Sequence, residues 1–201
     1  MVFLAQFGGD SADEAQQKAE NASRELRATG FKTRVTEDAQ EMKKYWVIRR
    51  ESFNLLRHRM KGKHTAPFID DIVVRPELLP KFLPKLRDLL APYNLEYSIA
   101  GHVGSGNFHI IPLVKKGDES FKGIIGELSE KVYTLVLEFS GSITAEHNDG
   151  LIRSPYLPMM YGDQVCGLFA HTKRIFDPDN IFNPGKKVGA SREFALKHIA
   201  I

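Results

Sequence analysis

The chain has 201 residues, 42% hydrophobic and 26% charged, with a formal net charge of +3. That balance fits a water-soluble globular protein with one sizeable core or two small ones, and it lacks the clustered basic stripe of a nucleic-acid binder. The lone cysteine, Cys166, excludes an intrachain disulfide and any multi-cysteine metal site, and reads as a buried, inert thiol in a reducing compartment.

In chain order, Val2 to Phe7 predicts a first strand. The apolar start lacks a cationic flank and stops at Gln6, so it does not read as a signal peptide. Ser11, with Glu14 three residues on, forms a capping-box pattern that opens a polar, alanine-rich helix ending at Gly30. A short strand is expected at Phe31 to Val35. A helix then runs from Asp38 or Ala39 towards Arg59, with Trp46, Phe53 and Leu56 turned inward. Arg49, Arg50, Arg57, His58, Arg59, Lys61 and Lys63 make a local cationic stretch, suited to a small anionic partner or to solvation. Lys61 to Ala66 reads as a loop and Phe68 to Val74 as a strand. Pro76, Pro80 and Pro84 lead into a helix ending near Leu90.

The next segment carries the chemistry. Leu95 to Ala100 and Phe108 to Val114 predict a hairpin around Gly101, His102, Val103, Gly104, Ser105, Gly106, Asn107, Phe108 and His109. With Ser105 and Gly106 as the two turn residues, His102 faces His109 across the ladder, at a separation that suits two ligands of one divalent ion. A catalytic site wants a third protein ligand and an open position, and Glu146 in Thr144-Ala145-Glu146-His147 is the candidate.

After Gly117, Ile124, Leu128, Val132, Leu135 and Phe139 define one buried helix face. An irregular stretch beyond Gly141 carries Glu146. A helix from about Asp163 to Phe176 follows, then Asp177-Pro178-Asp179-Asn180 and Asn183-Pro184-Gly185-Lys186. Strands separated by helices, together with a tight antiparallel hairpin, predict an α+β sheet with helices mainly on one face. No glycine-rich phosphate-binding pattern follows a strand. No segment approaches a membrane span. His58, His64, His171 and His198 take ordinary structural readings.

The hairpin His102 to His109, the segment Gly141 to His147 and the tail Phe176 to Lys186 together resemble the C-terminal domain of FAD-linked oxidases. That group includes D-lactate dehydrogenases, D-2-hydroxyglutarate dehydrogenase and the flavin subunit of glycolate oxidase. The resemblance runs over residues 1–201 as one domain. It implies a ferredoxin-like cap over the flavin, with an antiparallel or mixed sheet. FAD would be held mainly by an N-terminal domain or subunit absent from this chain.

Carried over residue by residue, the resemblance makes His102, His109 and Glu146 ligands of a divalent metal, whether zinc, manganese or iron. It makes His147 the base beside the substrate hydroxyl and Arg49 the grip on the substrate carboxylate. It places Asn183 and Asn107 on the flavin side. Ile69 stands where the hydroxyglutarate enzyme would have a substrate-binding lysine, which points instead to a short 2-hydroxy acid such as D-lactate or glycolate. The expected place is the cytoplasm, or the membrane periphery through a partner, and a homodimer stays open. The alternative class is a redox-inactive module that binds metal or carboxylate or serves assembly. A metal hydrolase with His147 as base is a third.

Overall fold

The computed structural model describes residues 2–59 and 62–199, with the side chains of 53 and 55–59 outside the description. The chain divides into two compact units, Met1–Arg59 and Met60–Ile201.

In the first unit, helix α1 (Ala12–Ala28) starts at Ser11, whose Oγ accepts the Glu14 N–H at 3.2 Å. The Glu14 carboxylate reaches back to the Asp10 N–H at 2.7 Å, so the box closes one residue earlier than the pattern suggests. Helix α2 (Ala39–Arg59) is capped by Asp38, whose Oδ1 accepts the Gln40 N–H at 2.7 Å. The two strands expected here do not form. Val2 to Phe7 and Phe31 to Val35 lie outside any strand, and Val2, Phe3 and Phe31 are well exposed. Alternating apolar residues make a strand only where another backbone supplies the ladder. Residues 31–35 instead meet α1 through Thr33, whose Oγ1 lies 2.6 Å from Ser23 Oγ and accepts from Arg27 Nε at 2.7 Å. Trp46 is exposed rather than turned inward, whereas the expected placements of Phe53, Leu56, Arg57, His58, Arg59 and Lys61 fall outside the described residues and side chains.

The second unit is an α+β sandwich built on a sheet of four antiparallel strands: β1 (Lys63–Thr65), β2 (Ile69–Val73), β3 (Tyr97–Ala100) and β4 (Asn107–Lys115). Strand β4 is central, since Ile110 pairs with Ile69 of β2 and with Ile99 of β3. Strand β1, where a loop was expected, pairs with the far end of β4, Lys63 opposite Lys115. Three polar residues carry no strand pattern, and only the exposed ladder of β4 recruits them. Ser142 forms a bridge to Val73 on the outer edge of β2. The spatial order Ser142, β2, β4, β3 is the ferredoxin-like arrangement, its last strand reduced to a single bridge.

Helices α3 (Leu79–Leu90) and α4 (Phe121–Glu138) supply the other layer. Leu79, Phe82, Leu86 and Leu90 of α3 are buried at helical spacing. On α4 the buried face runs through Phe121, Ile125, Leu128, Val132 and Val136, so Ile124 and Phe139 sit at its margin rather than its centre. Each such side chain contributes about 1.5 to 3 kcal/mol through removal from water. Tyr133 is fully buried, and its hydroxyl donates to the Phe68 carbonyl at 2.6 Å. Beyond the sheet come α5 (Gly150–Arg153), α6 (Leu157–Phe176, interrupted at Gly162) and α7 (Arg192–Lys197). Cys166 on α6 is half-buried rather than fully enclosed.

Candidate metal centre

The hairpin turn is longer than two residues. His102 exchanges both backbone hydrogen bonds with Asn107, at 3.1 and 3.3 Å, and Val103 to Gly106 make the turn, while Ala100 is the partner of His109. The shift relative to the two-residue register is even, so His102 and His109 still share a face of the sheet as diagonal neighbours, ring centroids 6.3 Å apart. Two glycines permit this path. Gly106 has φ 72° and a Cβ there would lie 1.8 Å from the Val74 carbonyl oxygen, and Gly101 has φ 148° with the Asn107 carbonyl oxygen 2.3 Å from the Cβ position.

Glu146 approaches from the loop that follows Ser142, and one of its oxygens is the focus of the site. Oε1 lies 3.0 Å from His109 Nε2, 3.3 Å from His147 Nε2 and 3.4 Å from His102 Nε2. The His109 and His147 rings meet edge to face at 5.0 Å. Asp71, His109, Glu146 and His147 each place one ligand-type atom within 4.8 Å of the others. Asp71 differs from the rest in being fully buried with both oxygens already occupied. Oδ1 accepts from Glu146 N–H (3.1 Å) and Asn107 Nδ2 (3.2 Å), and Oδ2 from Ala145 and His147 N–H (both 3.0 Å). Its carboxylate is therefore a support and not an open ligand. Imidazoles and a carboxylate converging on one point form a donor set that suits a divalent transition-metal ion.

Beneath the site lies a polar layer that sequence reasoning missed. Strand β2 slips register between Ile69 and Ile72, and Asp71 within this bulge has φ 63°. Asp70 points to His109, its Oδ1 2.8 Å from Nδ1. Arg153, also buried, stands 3.4 Å from Asp71 Oδ2, donates to the Asp70 carbonyl at 3.1 Å and holds the Asn148 carbonyl. Burial pushes the Asp71 carboxyl up, but the N–H groups of Ala145, His147 and Glu146 and the Arg153 guanidinium outweigh it and leave it below the ordinary aspartate range. The hydrogen bond that His109 donates to Asp70 raises the His109 imidazole, against the opposing effect of burial and with help from the charges of Asp70 and Glu146. The available signal was the doublet Asp70-Asp71 inside an apolar strand, where unpaired carboxylates would be costly.

The other candidates have settings of their own. Asn107 is buried, donates to Asp71 and leaves its Oδ1 enclosed without a protein partner. Asn183 takes a left-handed turn before Pro184, φ 47°, its carbonyl accepting the Lys186 N–H at 3.2 Å. Arg49 is exposed on α2 and belongs to the first unit. Among the described residues no helix is long and apolar enough to cross a membrane.

Known proteins resemble this chain in sequence. The pattern of the family described as FAD linked oxidases, C-terminal domain, matches residues 1–187. A D-2-hydroxyglutarate dehydrogenase of Pseudomonas putida is 30% identical over 92% of this chain and 19% of its own length. A D-lactate dehydrogenase of Anaerostipes hadrus is 29% identical over 92% of this chain and 38% of its own length. The glycolate oxidase subunit GlcD of Escherichia coli K12 is 26% identical over 98% and 40%. The chain thus spans between about a fifth and two fifths of the length of these curated relatives. By the match over residues 1–187, the chain belongs to the FAD linked oxidases, as their C-terminal domain.

Proposed function

We propose that this chain forms the substrate-binding and catalytic side of a flavin-dependent 2-hydroxy acid dehydrogenase that acts on a short acid such as D-lactate or glycolate. The observation that carries the reading is the convergence of three imidazole Nε2 atoms within 3.4 Å of Glu146 Oε1. His102, His109 and Glu146 hold a divalent ion, zinc, manganese or iron, and the chain's partner domain or subunit holds FAD. A metal held there would supply acidification of the substrate hydroxyl, and a bound flavin would supply the acceptor for the α-hydrogen.

The chain's own residues do the rest. His147, adjacent in sequence to a ligand and more than half exposed, takes the hydroxyl proton on Nε2. The family resemblance assigns the grip on the substrate carboxylate to Arg49, a task that suits a forked guanidinium. Asn183 and Asn107 serve the flavin side, the enclosed Asn107 Oδ1 being an acceptor still in need of a donor. A dicarboxylate would call for a further cation, and Ile69, at the position that family resemblance gives to a substrate-binding lysine, is apolar and fully buried.

Elemental analysis of the purified chain tests the metal, with FAD titrated into the same sample. The expected result is stoichiometric metal without tight flavin binding, and loss of the metal in His109→Ala with the far-ultraviolet spectrum retained. Metal retained at full stoichiometry in that variant overturns the ligand set. Turnover by the protein together with its flavin-bearing portion should favour D-lactate or glycolate over D-2-hydroxyglutarate, and the reverse preference overturns the substrate.

A further inference from the structure

We propose that the Asp70-Asp71 doublet is a pair of positioning residues that aligns the ligand set from within strand β2, a claim that rests on the metal reading above for its consequence but not for its geometry. The bulge in β2 makes the division of labour possible. In a regular strand, neighbouring side chains point to opposite faces, so two consecutive carboxylates could not both serve one site. With Asp71 turned to φ 63°, Asp70 meets His109 on β4 while Asp71 meets the loop that carries Glu146 and His147.

Each carboxylate has its own task. Asp71 collects three successive N–H groups, from Ala145, Glu146 and His147, at 3.0 to 3.1 Å. Successive backbone donors around one anion form a nest, and here the anion belongs to the protein itself. Residues 143–149 have no helix or ladder of their own, so these bonds set where the Glu146 and His147 side chains begin. Asp70 acts on the ring of His109. A carboxylate can only accept, so without metal both ring nitrogens donate, Nδ1 to Asp70 and Nε2 to Glu146; a metal between His109 and Glu146 would replace the Nε2 proton, while Asp70 keeps the one on Nδ1. Arg153 neutralises the buried charge and binds both the Asp70 carbonyl and the loop at Asn148. The doublet thus links two ligands more than thirty residues apart, His109 and Glu146, through one strand.

Cobalt(II) is the probe, titrated into the whole chain and followed by its visible absorption, alongside amide proton shifts of the metal-free chain. Asp71→Asn replaces one acceptor oxygen by an NH2 group facing N–H donors. It should weaken Co2+ by about 10- to 100-fold and move the Ala145, Glu146 and His147 amide signals upfield. Asp70→Ala should weaken Co2+ and alter the cobalt spectrum while those amides stay in place, and Asp70→Asn, which keeps an oxygen for Nδ1, should recover most of the loss. Co2+ affinities within about twofold of wild type in both Asp71→Asn and Asp70→Ala overturn the proposal. Unmoved loop amides in Asp71→Asn overturn the anchoring by themselves. Should that variant not fold, the Asp70 pair decides. A wild-type chain that ignores Co2+ ends the metal reading instead, and the amide shifts then show whether Asp71 holds the loop.

Discussion

Two aspartates in this molecule do the same work in different settings. Asp71 holds the N–H groups of residues 145–147, and Asp177 holds those of Ile181 and Phe182 at 2.8 and 3.0 Å. Asp71 is fully buried, its cationic neighbour is the buried Arg153, and its loop lies 74 to 76 residues away. Asp177 sits at the C-terminal end of α6, its partner is Lys173 one turn back, and its loop begins four residues on. A short-range anchor closes a turn on itself and can fail locally. A long-range anchor ties two elements together and takes the surrounding sheet with it.

Replacing the cations should separate the two most strongly. Arg153→Met leaves the Asp71 charge buried without its partner, and loss of one member of such a pair costs about 3 to 5 kcal/mol. Lys173→Met at the other anchor, where Asp177 is also buried but closes only its own neighbouring loop, should lower the unfolding midpoint by less. Equal midpoint shifts in the two variants, measured by thermal or urea unfolding, would erase the distinction. A smaller loss is expected from Gly106→Ala, which forces a Cβ against the Val74 carbonyl at a positive φ next to the bulged strand. It should cost more than about 1 kcal/mol and weaken metal binding at His102. An unchanged midpoint there would show that the turn can move without disturbing β2.

The smallest effect is a matter of pH at Asp177. The Lys173 hydrogen bond, with help from the Ile181 and Phe182 N–H groups, holds this carboxyl below the ordinary aspartate value of about 4. A depressed folded-state value means the contribution is fully present above the ordinary value and is lost as pH falls through the lowered one. Acid titration should therefore release the Ile181 and Phe182 amide signals in a single step below that ordinary value, with the sheet amides undisturbed. Release at or above it would remove the anchor.

The same contrast explains how much could be read in advance. Ser11, Asp38 and Asp177 cap or close what lies within a few residues of them, so their roles follow from position in the chain. The glycines around the hairpin, the proline-led helix ending at Leu90 and the α+β class belong to the same local order. The family likeness rests on such motifs too. The exact turn did not, because Val103 to Gly106 are shaped by the Val74 carbonyl beside them. Strand β1 and the strands that failed to form at Val2 to Phe7 and Phe31 to Val35 depended on which backbone edges were free.

For the site, residue types were legible and their support was not. His102, His109, Glu146 and His147 stand out by chemistry alone, but the tasks of Asp70 and Asp71 follow only from the bulge in β2, and that of Arg153 only from its approach to Asp71. Sequence by itself determined the periodic faces, the caps and the ligand-type side chains, because these depend on bonds within one or two turns of the chain. Only the tertiary structure decided that three imidazoles meet one carboxylate oxygen over a buried aspartate. That meeting needs strand β4, the bulge in β2 and a loop far along the chain to close on one another, and their contacts exist only once the sheet has formed.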